Sequence, residues 1–280
     1  MTMPPRTAAF LLLCPVVFFG LFFAGPFILL ISESLTGQDG SLAIANYANV
    51  LSDPYYWNAI ANTFLISFYV TAFCFLAGYP LAYFLIFHVR RSWTRRIIYI
   101  LLVTPLFTSN IVRAFGWIVI LGRRGFVNAA LQAVGATEGP LELLYSRFSI
   151  VVGLGYILLP VMVLTICSVL QNVDKGLIDA ARDLGARPSV AFYKVTLPMS
   201  LPGVVAGSII VFALSVSAYV IPSILSGGRE VVMSMLIFQQ YTATFRADIG
   251  ATLSIVLLFV TLLLIAGYML VFDRRARAAW

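Results

Sequence analysis

Charge is what this sequence has least of. Only 10% of its 280 residues are charged, against roughly 25% in an ordinary soluble domain. Hydrophobic residues make up 61% and the mean hydropathy is +0.98. These values exclude a typical soluble fold and define an integral membrane protein. Histidine and cysteine are almost as scarce. His88 is the one histidine and sits among arginines at the edge of an apolar segment, a poor place for catalysis. Cys14, Cys74 and Cys167 each fall inside an apolar stretch with no paired spacing. They read as small apolar residues, with no disulfide and no metal site. The chain has no GxxxxGK[ST] loop, no nucleophile elbow and no HExxH, so it carries no nucleotide site of its own. No Pro- or Ser-rich linker interrupts it.

Long apolar runs fill the rest. A spanning helix needs about 20 mostly apolar residues, and six stretches qualify: about Ala8–Ile31, Ala59–Phe87, Ile97–Leu121, Phe148–Leu170, Leu201–Leu225 and Ile249–Phe272. The first follows Arg6. It is too long for the apolar part of a signal peptide and lacks a clear small-x-small cleavage site before Glu33, so it reads as a retained helix. Between the spans lie polar loops at Glu33–Asn58 and Gly122–Arg147. A short helix is predicted near Val231–Tyr241. Pro160 and Pro222 are expected to kink their helices.

The charges that remain are unevenly placed. With the N-terminus inside, the cytoplasmic set is Arg6, Arg90, Arg91, Arg95, Arg96, Lys175, Arg182, Arg187, Lys194, Arg274, Arg275 and Arg277, which is 12 of 18. The outer set is Arg123, Arg124, Arg147, Arg229 and Arg246. This asymmetry predicts cytoplasmic termini. The basic clusters are therefore membrane-edge anchors facing lipid headgroups. Although the net charge is +7, this placement argues against a nucleic-acid partner.

Arg113 is the one plainly charged residue inside an expected span. Such a residue is costly in lipid and is a functional candidate. On a straight helix it would lie about 24 Å beyond Ile97 at 1.5 Å per residue. It reads either as a path or gate residue or as an outward-reaching, locally paired arginine. Nearby Ser109, Asn110 and Trp117 extend a candidate path surface, and Pro105 frees a carbonyl that can line a cavity. Ser215 and Tyr219 on the fifth span are further path candidates. Gly203 and Gly207 form a GxxxG pair, which lets helices approach closely in lipid.

The longest polar interval on the cytoplasmic side is Gln171–Gly203. Asp174 or Lys175-Gly176 opens a short helix with Leu177, Ile178, Ala181 and Leu184 on one face. Gly185 ends it. Pro188 suits the first turn of a second helix, which carries Val190, Ala191, Phe192 and Val195. Leu197-Pro198 and Leu201-Pro202 are expected to stop that helix. Asp179-Ala180-Ala181, then Gly185, then nine residues, then Val195, Leu197 and Pro198 resembles the "EAA…G…I-LP" loop of ABC importer permeases. Asp179 stands where Glu is usual and Val195 where Ile is usual. The run from Thr104 to Trp117 resembles the third helix of spermidine/putrescine-type permeases, and the stretch from Asn46-Tyr47 to Asn62-Thr63 resembles the region leading into their permease domain.

The resemblance covers most of the chain, from about Asn46 to the sixth span. It implies an all-α type I ABC importer transmembrane domain with six transmembrane helices. Its parts would be an N-terminal helix and outer loop at 1–58, a permease domain at 59–272 and a basic tail at 273–280. It further implies a coupling helix, with Asp179, Ala180, Ala181, Arg182, Gly185, Val195, Leu197 and Pro198 gripping an ATPase subunit. The partners would be an ABC ATPase dimer, a second and different permease chain, an extracytoplasmic binding protein and membrane lipid. ATP and Mg would sit on the ATPase, with no cofactor on this chain. Polyamines are the first solute by resemblance. An anionic or zwitterionic solute such as an organophosphonate or a modified amino acid suits Arg113, the only buried charge expected. An ion-coupled secondary carrier would need broken-helix repeats, and a membrane enzyme would need clustered His, Asp or Glu within the spans. The sequence shows neither.

Overall fold

The computed structural model describes residues 13, 15–37 and 44–278, with Lys175 and residues 273–278 described by backbone alone. Cys14 lies outside the described residues. The described chain is almost wholly helical. Its elements are α1 (Pro15–Leu35), α2 (Ile44–Ser52), α3 (Pro54–Phe87), α4 (Ser92–Phe107), α5 (Asn110–Leu121) and α6 (Phe126–Ala133). They continue with α7 (Arg147–Leu170), α8 (Lys175–Asp183), α9 (Pro188–Val216), α10 (Val220–Leu225), α11 (Met233–Thr242) and α12 (Ala247–Ala278). Five of these are long and apolar enough to cross a membrane, and six spans result if the bent pair Ser92–Phe107 and Asn110–Ala133 counts as one.

The chain divides into two compact units, one from residues 1–58 and 235–262, the other from 59–234 and 263–280. In the smaller unit a polar seam ties three helices. Tyr47 donates to Ser34 at 2.8 Å, Asn46 donates to Asp248 at 3.2 Å, and Thr252 donates to the Ser34 carbonyl at 3.3 Å. Asp248 is buried and also pairs with Arg246 at 3.2 Å. The sequence suggested Arg113 as the only buried charge; among the described residues Asp248 is buried instead, and Arg113 is only half-buried. Asp248 escaped notice because it sits in the first turn of a span that otherwise reads as uniformly apolar.

In the larger unit α9 packs along α7. An added Cβ on Gly203 would stand 2.8 Å from Val169, and one on Gly207 would stand 2.8 Å from the Met162 sulfur. At both positions the helices touch where a side chain would otherwise keep them apart. Gly153 of α7 gives the same close approach to Leu225 and Ile221 of α10. At one end of the unit Arg147 binds Glu230 at 2.9 Å and Asn62 at 3.0 Å, linking α7, α3 and the loop before α11.

The Glu33–Asn58 stretch is not all loop, because α2 forms within it. The Gly122–Arg147 loop holds α6, which is stapled by buried Asn128. Its amide donates to the Gly122 and Leu141 carbonyls at 3.0 Å and accepts from Leu141 N–H at 2.8 Å. The third span is not one straight helix. It breaks at Thr108-Ser109, where the backbone turns extended, and its two halves meet at 102°. The height of Arg113 on a straight helix therefore does not apply.

The fifth span is shifted. Leu197-Pro198 and Leu201-Pro202 do not stop the second helix, which runs through them. The turn before Pro198 is widened to π geometry over Phe192–Thr196, with Leu197 N–H reaching back to the Phe192 carbonyl. The wider turn makes room for a ring that would otherwise press on the carbonyl four residues back. At its far end α9 stops at Val216 rather than running to Leu225. Pro222 would clash with the Ala218 carbonyl in a continuous helix, and that carbonyl instead accepts Ser234 Oγ at 2.7 Å. Pro160, by contrast, lies within an unbroken α7.

Gly203→Leu should force α7 and α9 apart and cost about 1–3 kcal/mol, as overpacking does. The check is the melting temperature of the detergent-solubilised chain, and an unchanged value would contradict this packing.

Candidate coupling and path site

The polar interval folds into a compact projecting corner. Asp174 caps α8, its carboxylate accepting Gly176 N–H at 2.8 Å. The helix closes on Gly185, which has a φ of +83°. Gly185 N–H reaches the Arg182 carbonyl at 2.8 Å, and Ala186 N–H reaches the Ala181 carbonyl at 3.0 Å. This pair of bonds is a complete Schellman closure. A Cβ at Gly185 would meet nothing within 4 Å, so glycine is needed there for its backbone angle and not for space. Pro188 then occupies the first turn of α9.

The faces of this corner differ from the simple amphipathic expectation. Ile178 and Ala191 point inward and are buried, while Leu177 is 48% exposed and Leu184 is 90% exposed. Asp179 and Arg182 form a loose pair at 3.8 Å and both stand largely in solvent. Ala180 and Pro198 are exposed, and Ala181, Val195 and Leu197 are half-buried. A shallow groove runs past Ala181, Gly185 and Val195, bordered by Arg187 and Lys194. The corner thus presents small residues, loose charges and uncovered apolar tips.

The path candidates fall at the two helix breaks. Ser109, Asn110 and Arg113 come together at the first. The Arg113 guanidinium donates to the Thr108 carbonyl at 2.8 Å, to the Ser109 carbonyl at 3.4 Å and to Asn110 Oδ1. It closes the break as a fork closes several acceptors at once, and this is the locally paired reading. Trp117 lies further along α5 with its ring edge-on to Tyr156 of α7, 5.9 Å between centroids. Ser215 and Tyr219 lie at the second break, at the end of α9 and just before α10. Ser215 is buried with its hydroxyl unpartnered. The segments after the two breaks, α5 and α10, pack on each other.

Sequence reasoning missed the partners that make these breaks possible. Ser234 gives no local signal, since it serves Ala218 sixteen residues away. It also missed the aromatic seat of Phe192 on α3. Tyr79 and Tyr83, an i, i+4 pair at the end of a span, were the available clue.

Residues 74–278 match the family of binding-protein-dependent transport system inner membrane components. This chain belongs to that family. It is 31% identical to the spermidine/putrescine transport system permease protein PotB of Haemophilus influenzae, over 87% of this chain and 86% of that one. Against PotB of Escherichia coli it is 29% identical, over 87% and 90%. Against a putative 2-aminoethylphosphonate transport system permease protein of Salmonella paratyphi A it is 23% identical, over 94% and 91%. Its fold matches a chain of a bacterial ABC transporter involved in the import of the acidic polysaccharide alginate, with TM-score 0.80, 18% identity and coverage of 96% of each chain. A chain of the inward-facing MetNI methionine ABC transporter matches at TM-score 0.58 and 20% identity, covering 82% of this chain and 99% of that one.

The chain is thus a multi-pass inner-membrane permease subunit of an ABC importer, without ATPase activity or a cofactor of its own. It works with an ATPase and a periplasmic binding protein. The secondary-carrier and membrane-enzyme readings fall away.

Arg113→Ala should leave the Thr108 carbonyl without its donor, while the Ser109 carbonyl keeps the backbone N–H of residue 113 at 3.2 Å, and should cost about 1.5–3 kcal/mol, the range for hydrogen bonds to a charged group. Arg113→Lys should recover only part, because an ammonium lacks the planar fork that spans these acceptors. Thermal melting in detergent measures both, and a wild-type melt for Arg113→Ala would contradict this role.

Proposed function

We propose that this chain forms half of the membrane path of a polyamine importer, with a second, different permease chain forming the other half. The observation that carries its coupling role is the corner at Gly185. A rigid Schellman closure holds up Leu184, which is 90% exposed beside a groove of small residues. Burying such a side chain on a partner gains about 1.5–3 kcal/mol. The ATPase subunit docks there, over Asp179, Ala180, Ala181, Arg182 and Gly185, and Val195, Leu197 and Pro198 continue the lever into α9. Both termini face the cytoplasm with it, as the 12 of 18 basic residues on that side support.

The path runs along the broken segments. At Thr108-Ser109 the backbone is extended and exposed within a span. Irregular backbone at membrane depth is tolerated only against protein or water, so Ser109, Asn110, Arg113 and Trp117 face the path or the second chain. Ser215 and Tyr219 contribute from the second break. Polyamine as solute is supported by the PotB relatives at 29–31% identity. A second reading, a zwitterionic or anionic solute such as an organophosphonate or a modified amino acid, is favoured by Arg113 and by the aminoethylphosphonate-type relative.

The importer, reconstituted with its binding protein, should take up radiolabelled putrescine, with spermidine competing and 2-aminoethylphosphonate inert. Uptake of only the phosphonate would reverse the two readings. Gly185→Trp should keep ATP hydrolysis and membrane insertion while lowering uptake at least about tenfold, a loss of roughly 1.4 kcal/mol in coupling. Normal uptake by that variant would defeat the coupling assignment.

A further inference from the structure

The docking corner needs a mechanical link to the membrane helices beyond its own chain connection. The helical ladder of α9 changes register where it leaves the corner, because Phe192–Thr196 is a π turn, a geometry common at functional sites. A push on α8 delivered through α9 alone has to cross this turn. The first residue of the turn, Phe192, is seated elsewhere. Its ring stands edge-on to Tyr83 at 5.2 Å and 90°, and edge-on to Tyr79 at 5.8 Å and 82°. Both tyrosines belong to α3. Edge-to-face pairs of this kind add about 0.5–1.5 kcal/mol each beyond area burial.

The seat is itself locked. Tyr79 is 6% exposed and Ser200 is fully buried. Ser200 Oγ donates to the Leu197 carbonyl at 2.9 Å. Its single proton is thereby used, so Tyr79 O–H donates to Ser200 Oγ, at 2.8 Å. The tyrosine that holds Phe192 is thus bonded to α9 just past the π turn. The latch bridges the π turn from both sides. Phe75, on the same helix, continues the aromatic stack at 5.9 Å from Tyr79.

We propose that Phe192, seated between Tyr79 and Tyr83, is the positioning residue that makes the docking corner and α3 move as one body, so that displacement of α8 is passed to a membrane-spanning helix across the π turn. This rests on the reading of α8 as the ATPase dock. It assigns the transmission to a residue outside the docking motif.

The test uses the whole importer in lipid, with spin labels at Asp183, an exposed residue of α8 outside the docking set, and at Phe68 on α3. Phe68 is 63% exposed and lies about 22 Å along the helix from Tyr83. The distance between the labels is measured without nucleotide and after trapping with ATP and vanadate. In the unaltered protein it should be the same in both states. In Phe192→Ala it should match when nucleotide is absent and change by about 2 Å or more on trapping, the scale of helix shifts in switching proteins. Phe192→Tyr should restore the nucleotide-independent distance. A distance in Phe192→Ala that stays fixed through trapping overturns the proposal. So does broadening that is equal in both states, which marks a residue that only stabilises the fold. Should Gly185→Trp uncouple hydrolysis from uptake while Phe192→Ala keeps the fixed distance, the latch fails and the dock stands. Should neither variant have an effect, both fail.

Discussion

In hydrocarbon every backbone N–H and C=O must find a partner inside the protein. This chain meets that demand with helices nearly everywhere, and along the apolar runs of the larger unit the helical ladder is interrupted at three places. Each lies near a proline. Pro105 precedes the break at Thr108-Ser109, Pro198 follows the π turn, and Pro222 sets the end of α9. At each, a backbone group finds a partner. Arg113 caps the first break, Leu197 N–H reaches back across the second, and Ser234 serves Ala218 at the third. The interruptions are therefore specified features of the fold.

Those interruptions divide the labour. The outer two shape short segments, α5 and α10, that pack together beside α7. The middle one separates a projecting corner from a membrane helix. Glycines set the contrast in stiffness. At Gly203, Gly207 and Gly153 they let α7 lie directly on its neighbours, which makes that core hard to shear. At Gly185 the glycine instead permits a positive φ and a tight closure, so the corner is rigid by itself while joined to α9 through a wider turn. A tip closed at Gly185, a π turn and an aromatic bridge to α3 are the parts on which the proposed coupling rests.

Much of this was legible from residues alone. Apolar runs and the placement of arginines marked six spans, and Asp174, Gly185 and Pro188 marked the corner turn by turn. What stayed hidden has a common physical cause. Hydropathy counts apolar length and is blind to geometry, so it ran through Thr108-Ser109 and Ser217 without a break. Proline signals were read too simply. Pro198 widened a helix where a stop was expected, and Pro222 ended one where only a kink was expected. The helices α2 and α6 were taken as loops because polarity was weighed above local propensity. Long-range partners such as Ser234 and the Tyr79–Ser200 bond leave no local trace.

The most direct test of the account is a photo-reactive side chain placed at Leu184 in the intact importer, irradiated in the membrane and weighed by mass spectrometry. The account predicts an adduct of this chain with one ATPase subunit, absent when the same group is placed at Phe68. Adducts with lipid or the second permease alone, in a preparation where the ATPase is present, would contradict it.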